Sequence, residues 1–242
     1  MSISADRPRK PLVVVPTYNE RENIEALLEE LMRLDSVHVL VVDDASPDGT
    51  GMVADEWATR DPRVHAMHRA GKLGLGTAYL AGFRWGLERG YDALLEMDAD
   101  FSHSPAYVPR LIDGCREADL VIGSRYIEGG GTRGWAWHRR MLSAGANLFA
   151  RGMLGLNVKD CTAGFRCYRA QALREVQLDA ILAEGYSFQV EMLVRVLRAR
   201  GAVTEVPILF EERRHGASKI SRSEVVRAVA TVLRLARERV SP

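Results

Sequence analysis

The sequence predicts an α/β protein, a doubly wound and mostly parallel sheet in a single domain that ends in C-terminal amphipathic helices. Three observations carry this. Short β-branched runs alternate with segments of helical periodicity along the first half of the chain. Those runs are continuously apolar rather than alternating, as strands buried on both faces are. Each is followed by a polar cluster, and open α/β sheets bind ligands beyond the carboxyl ends of their strands.

The elements follow in order. "PLVVV" (11–15) reads as a buried strand stopped by Pro16, and 19–34 as a helix with an apolar stripe at Ile24, Leu27, Leu28, Leu31 and Leu34. Asn19 with Glu22 three residues on predicts a capping box. A second strand spans 37–46 and a second helix 48–60. Strand 63–67, helix 75–90, strand 92–97, helix 105–116 and strand 118–123 continue the alternation. A long loop then carries Gly129, Gly130 and Gly131, followed by two tryptophans and the pair Arg139 and Arg140, and loops of that length inside a domain are usually functional or disordered. Helices near 141–155 and 187–200, strands near 165–169 and 203–209, and a basic helix over 222–239 complete the chain.

The 242 residues are 47% apolar and 27% charged, enough for one substantial core. A net charge of +1 argues against a dedicated nucleic-acid binder. Residues 195–239 hold 11 Lys/Arg against 5 Asp/Glu, so the C-terminal part is basic. Three cysteines without a CxxC suggest reduced thiols in a cytosolic setting. The polar N-terminus has no signal-peptide core, and no apolar run approaches the ~20 residues of a membrane span, so a soluble or peripheral chain is expected.

Four consecutive strand ends carry polar loops, which together favour one shared site: "PTYNE", "DDASPDGT", "RAGKLGLG" and "DADFSHSP". Asp98 and Asp100 at i and i+2 bring two hard oxygen donors to one point, which suits Mg²⁺ or Mn²⁺ shared with substrate phosphates. The plain alternative is a helix N-cap at Asp100 or Ser102 ahead of Pro105. A sharper rival is the DxDx(T/V) loop of haloacid-dehalogenase-like phosphatases, although that loop follows the first strand of its fold. Asp43 and Asp44 point in opposite directions, so at most one faces a given ligand; a signalling receiver domain also carries such a pair but is about half this length. Arg69 and Lys72 precede glycines at a helix start, an anion-site composition that matches neither Walker A nor GxGxxG. Arg125, Arg139, Arg213 and Lys219 are basic loop positions suited to phosphate, with a solvated surface as the alternative for any one of them. His65 and His68 form an HxxH without a third ligand and read as structural.

In order along the chain stand "VVPTYNERENI", "VVDDASPDGT", "GLGTAYLAGF", "MDADFSHSP", "GSRY", "DCTAGFRCY", "GYSFQVEM" and "EVPILFEERRHGASK". Over roughly 11–220 they resemble glycosyltransferase family 2 with the GT-A fold, in particular its polyprenol (dolichol) phosphate mannose synthases. The resemblance implies inverting transfer of mannose from GDP-mannose to a polyprenyl phosphate lipid on the cytosolic face of a membrane; a relative using UDP-glucose and a non-catalytic nucleotide-binding module remain alternatives. It divides the chain into a flexible N-terminus (1–10), a catalytic domain (11–220) and a basic amphipathic helix (221–242). It assigns Pro16, Tyr18, Glu20, Asp43, Asp44, Lys72 and Ala99 to the nucleotide-sugar pocket, with Arg213 and Lys219 on a mobile loop hinged at Gly216, Ala217 and Ser218. Asp98 and Asp100 become metal ligands, with Ser102 where some relatives carry Gln, and Arg125, Arg139 and Ser143 meet the lipid phosphate. Trp135, Trp137 and the apolar 141–156 segment, together with the last helix, suit a membrane surface, with packing on the sheet as the alternative for each helix, and peripheral attachment through a membrane-embedded partner protein is expected.

Overall fold

The computed structural model describes residues 8–182, 185–212 and 222–238. In chain order it builds β1 (Pro11–Thr17), α1 (Arg21–Met32), β2 (His38–Asp43), α2 (Thr50–Arg60), β3 (Val64–His68), α3 (Leu75–Glu88) and β4 (Ala93–Glu96). A 3-10 turn, Pro105–Tyr107, leads into α4 (Val108–Gly114) and β5 (Leu120–Ser124). Then come β6 (Gly131–Thr132), α5 (Trp137–Leu154), β7 (Arg166–Arg169), α6 (Ala170–Glu175), α7 (Tyr186–Arg198), β8 (Val203–Pro207), β9 (Leu209–Phe210) and α8 (Arg222–Glu238).

Seven strands form one sheet in the order β3-β2-β1-β4-β7-β5-β8, and β6 pairs with β9 beside it. All pairings in the large sheet are parallel except those of β7, which runs antiparallel between β4 and β5. Alternate residues of each strand serve opposite faces. Leu12, Val14, Leu40 and Val42 pack with Tyr79, Phe83, Phe188 and Val232 from α3, α7 and α8. Val13, Val15, Val39 and Val41 pack with Ile24, Leu27, Val53 and Leu111 from α1, α2 and α4. Two cores on one sheet explain the continuously apolar strands. Helix α3 lies very close: a Cβ on Gly82 would stand 2.4 Å from a Val14 methyl, so only glycine fits.

Several boundaries correct the sequence reading. Strand β1 continues through Pro16 to Thr17. Val14 faces β4, where its carbonyl accepts the Met97 amide, so Pro16 faces the same side, beyond the last β1–β4 pair, and its missing N–H costs no ladder bond. The predicted capping box is absent, because Asn19 takes φ 60° and Glu20 precedes the helix without a side-chain cap. Instead the neighbouring strand-end loop caps the turn: Ser46 Oγ, Thr50 Oγ1 and Asp48 Oδ2 accept the amides of Asn19, Glu20 and Arg21. Strand β2 ends at Asp43, where the carboxylate takes the Ser46 amide and Ala45 turns to φ 55°. Helix α5 starts four residues earlier than predicted, so Arg139 sits in its first turn rather than in a loop.

Candidate active site

The sheet reverses direction of growth between β1 and β4, and the polar loops at this switch point and beside it form one crevice. At the β1 and β2 ends, Asp43 is buried and internally committed, accepting Thr17 Oγ1 at 3.0 Å and the amide and hydroxyl of Ser46. Asp44 turns the other way, as adjacent strand residues must. It receives the Arg69 guanidinium on both oxygens and the Leu73 amide at 3.0 Å. Arg69, expected as an anion ligand, is thus occupied; its remaining bonds go to Thr77 Oγ1 and the Gly74 carbonyl. The pair is almost fully buried and pins the 69–74 loop over the crevice. That loop carries Lys72, whose ammonium lies 4.2 Å above the exposed Tyr18 ring. Glu20 accepts the Asn23 side-chain amide, while Pro16 is part-buried at the strand end.

At the β4 end the helix that follows is capped by Ser104, whose hydroxyl accepts the Ala106 amide, so neither Asp100 nor Ser102 is spent as the cap. Asp98 is part-buried and accepts the Tyr79 hydroxyl at 3.0 Å. Burial, and then the Asp98 charge, push the Tyr79 phenol well above its usual value, which keeps it protonated as a donor. The Asp98 amide donates to His103 Nδ1 at 3.0 Å, which leaves the ring proton of that neutral imidazole on Nε2. Phe101 sits at φ 63°, folding the loop so that the Ser102 amide reaches Asp100 Oδ1 at 3.0 Å. Ala99 is buried between the two acids. Ser102 Oγ is buried without a hydrogen-bond partner among the described residues.

Two carboxylates and an orphaned hydroxyl form a hard-oxygen donor set, which fits Mg²⁺ or Mn²⁺. No cluster of three His, Cys, Asp or Glu able to hold a metal occurs among the described residues, so a cation here would draw further donors from substrate phosphates or water. Behind the loop, Glu96 is wholly buried; burial, partly offset by Arg166, pushes its carboxyl up to about 7. Gln189 from α7 donates to it. Arg166 itself is fully buried on the carbonyls of Ala163, Gln189 and Cys161, locking β7 and α7 beneath the site.

At the β5 end stands a second centre of positive charge. Asp160, 0% exposed, accepts the Arg125 backbone amide at 3.0 Å and its guanidinium at two points, each 2.7 Å. Thr162 Oγ1 accepts from Arg125 and from Asn147, and Asn147 also donates to the Ser143 carbonyl. Arg139 lies over the Trp135 ring at 4.1 Å, with the Arg125 guanidinium 5.5 Å from the same ring. Ser143 follows Arg139 by one turn of α5, on the same helix face. The structure therefore brings Arg125, Arg139 and Ser143 together, while Arg213, Lys219 and the hinge at 216–218 lie outside the described residues. Trp135, expected at a membrane surface, is instead buried beneath Arg125 and Arg139. Asp160 and Tyr79 were missed in the sequence; each acts through a partner far along the chain, and only their presence in the ordered blocks "DCTAGFRCY" and "GLGTAYLAGF" marked them.

Outward from this centre, α5 exposes Trp137, Met141, Leu142 and Leu148, and α8 exposes Val225, Val226, Val229 and Leu233. The inner side of α8 is anchored by buried Val232 and Leu235. Among the described residues no helix is long and apolar enough to cross a membrane.

Comparison with known proteins agrees with this architecture. The family model described as glycosyl transferase family 2 matches residues 12–177. An undecaprenyl-phosphate mannosyltransferase of Micrococcus luteus is 54% identical over 92% of both chains. A polyprenol monophosphomannose synthase of Mycolicibacterium smegmatis is 50% identical over 93% of this chain and 86% of that one. Among solved structures, glucosyl-3-phosphoglycerate synthase from Mycobacterium tuberculosis, in complex with Mn²⁺, UDP and glucosyl-3-phosphoglycerate, superposes with a TM-score of 0.70 at 21% identity, covering 95% of this chain and 80% of that one. A mannosyltransferase from Pyrobaculum calidifontis bound to GDP-Man and Mn²⁺ gives 0.60 at 17% identity, over 100% and 67%. With its GT-A-like sheet and a family model matched over most of its length, the chain belongs to glycosyl transferase family 2.

Proposed function

We propose that this protein transfers mannose, with inversion, from GDP-mannose to a polyprenyl monophosphate at the cytosolic face of a membrane. The observation that carries the reading is the pairing of an acidic Asp98/Asp100 edge with an Arg125/Arg139 centre, beside helices whose outer faces are apolar. Relatives at 54% and 50% identity bearing polyprenyl-phosphate mannosyltransferase names support it.

The chemistry suits the residues. A phosphate monoester is largely dianionic at neutral pH, its second pKa being about 6, so it attacks the sugar C1 without a general base. Its oxygen forms the new bond as the bond from C1 to the nucleotide diphosphate breaks, and GDP leaves with that electron pair. The protein's task is to hold two polyanions in line. Arg125 and Arg139 with Ser143 receive the acceptor phosphate; Tyr18, Lys72, Glu20, Pro16, Asp44 and Ala99 line the nucleotide side, joined by Arg213 and Lys219. Asp98 and Asp100, with Ser102 as third protein donor, would hold Mg²⁺ or Mn²⁺, which when bound screens charge on the departing diphosphate. Asp43 stands beside the nucleotide-side residues, bonded to Thr17 and Ser46 and holding the loop. The exposed faces of α5 and α8 rest on the bilayer in peripheral attachment, with a membrane-embedded protein as a further contact.

The test offers radiolabelled GDP-mannose and UDP-glucose separately to the purified chain, with polyprenyl phosphate and either metal. Lipid-extractable label from GDP-mannose alone is expected. Label only from UDP-glucose, or phosphate release from the monoester without sugar transfer, would reject the proposal.

A further inference from the structure

One aromatic side chain touches both halves of the site. Strand β9 lies between them, paired with β6 on one flank and bonded on the other to the Tyr107 hydroxyl, with the Glu211 amide just beyond it donating to the Ser102 carbonyl. On one side Ile208 and Phe210 carbonyls accept the amides of Gly131 and Arg133, ahead of Trp135 and Arg139. On the other, the Leu209 amide donates to the Tyr107 hydroxyl, just past the Asp98–His103 loop. The Phe210 ring meets His103 edge to face at 5.5 Å and Trp135 edge to face at 5.2 Å. His103 is fixed in turn by stacking on Phe165 at 4.8 Å and by the Asp98 amide on Nδ1. Trp135 carries both arginines on its ring, and the Arg125 guanidinium also lies 5.6 Å from Phe210 itself. These contacts form one contiguous set running from the Asp98 loop through His103 and Phe210 to the indole on which Arg125 and Arg139 rest.

We propose that Phe210 is a positioning residue that couples occupancy of the Asp98/Asp100 side to the geometry of the Arg125/Arg139 side, through the contiguous set His103, Phe210 and Trp135. The inference rests on the reading of Arg125 and Arg139 as the acceptor-phosphate site. Edge-to-face pairs have defined geometry, so they transmit orientation where aliphatic contacts would let it relax. Phe210 belongs to neither sheet core, and β9 is secured by backbone bonds, so loss of the ring leaves the fold intact.

The experiment measures the affinity of a short-chain isoprenyl phosphate by calorimetry, with and without saturating GDP and Mn²⁺, in wild type, Phe210→Leu and Trp135→Phe. In wild type, nucleotide and metal should tighten acceptor binding about tenfold, within the usual range of coupling between sites. In Phe210→Leu the factor falls to near one, while each ligand alone binds as before and Tm is unchanged. Trp135→Phe weakens the same coupling, and combining the two changes adds no further loss, as members of one unit behave. Transfer by wild type without any coupling, coupling retained in Phe210→Leu, or a parallel fall of both separate affinities with Tm would each overturn the proposal. Absence of mannosyl transfer in wild type would instead strike the functional reading beneath it.

Discussion

Replacement of Arg125 by Met separates its structural from its functional role. The change leaves the Asp160 carboxylate, wholly buried, with only the residue 125 backbone amide at 3.0 Å and the Thr162 hydroxyl at 3.4 Å among the described residues. Breaking a buried ion pair from one side costs about 3–5 kcal/mol. The surviving amide, and the 8% exposure of the Arg125 side chain, favour the lower end, about 3 kcal/mol. For a chain of this size that corresponds to a fall in Tm of about 6–12 °C. Arg125→Met with Asp160→Leu removes both charges, and such apolar replacement returns stability to within about 1 kcal/mol of wild type. Thermal and urea unfolding measure both variants, and transfer is assayed alongside at saturating donor. Each variant should lose about 100-fold in transfer, the scale of removing one preorganised charge-stabilising group. A stable double variant that transfers at the wild-type rate would refute the placement of Arg125 on the acceptor phosphate. A single variant within about 1 kcal/mol of wild type would refute the buried-pair reasoning itself.

Three further outcomes test the fold around the site. His38 and His65 share the Tyr91 hydroxyl at 3.1 and 3.0 Å, and burial first, then neighbouring cations and for His65 also His38, lower both pKa values. The folded state therefore binds these protons less readily than the unfolded chain, so their contribution is present above about pH 6.5 and lost as pH falls below it. Because raised Glu96 titrates in the opposite sense, the readout is the difference between wild type and His38→Asn/His65→Gln: wild type's advantage in Tm should shrink from pH 8 to pH 5, and a constant difference would contradict the assignment. Gly82→Ala should cost about 1–3 kcal/mol by driving a methyl into Val14, whereas Gly152→Ala on α5, where a Cβ meets nothing within 4 Å, should be neutral or gain up to about 1 kcal/mol; equal denaturation midpoints would show that α3 has room to move. Trp137→Ser and Leu148→Ser should leave Tm unchanged, since both are exposed, yet reduce binding to polyprenyl-phosphate vesicles; unaltered vesicle sedimentation would exclude the α5 face from the membrane contact.

The sheet was legible because its strands announce themselves locally: "PLVVV" and the apolar run before Asp43 are buried on both faces and need no partner to be read. The site was legible as a set of strand ends, with Asp98, Asp100 and Arg125 each following a strand. What stayed hidden depends on distant residues. The antiparallel insertion of β7 between β4 and β5 has no local signature, since four residues pair with segments more than 40 positions away. Likewise, nothing near Arg69 says that it serves Asp44, or near Arg125 that Asp160 will hold it, 25 and 35 residues apart. The missing capping box has the same origin, because donors at the start of α1 are met by a loop from another strand. Local propensity yields whenever a tertiary partner offers the better bond.

The most direct test follows label from GDP-mannose into the organic phase, in polyprenyl-phosphate vesicles with Mn²⁺, for wild type, Asp98→Ala and Asp100→Ala at matched folded fraction. The site described here requires wild type to form the labelled lipid and both variants to fall to background. Wild-type rates in either variant, or no labelled lipid from any of them, would contradict it.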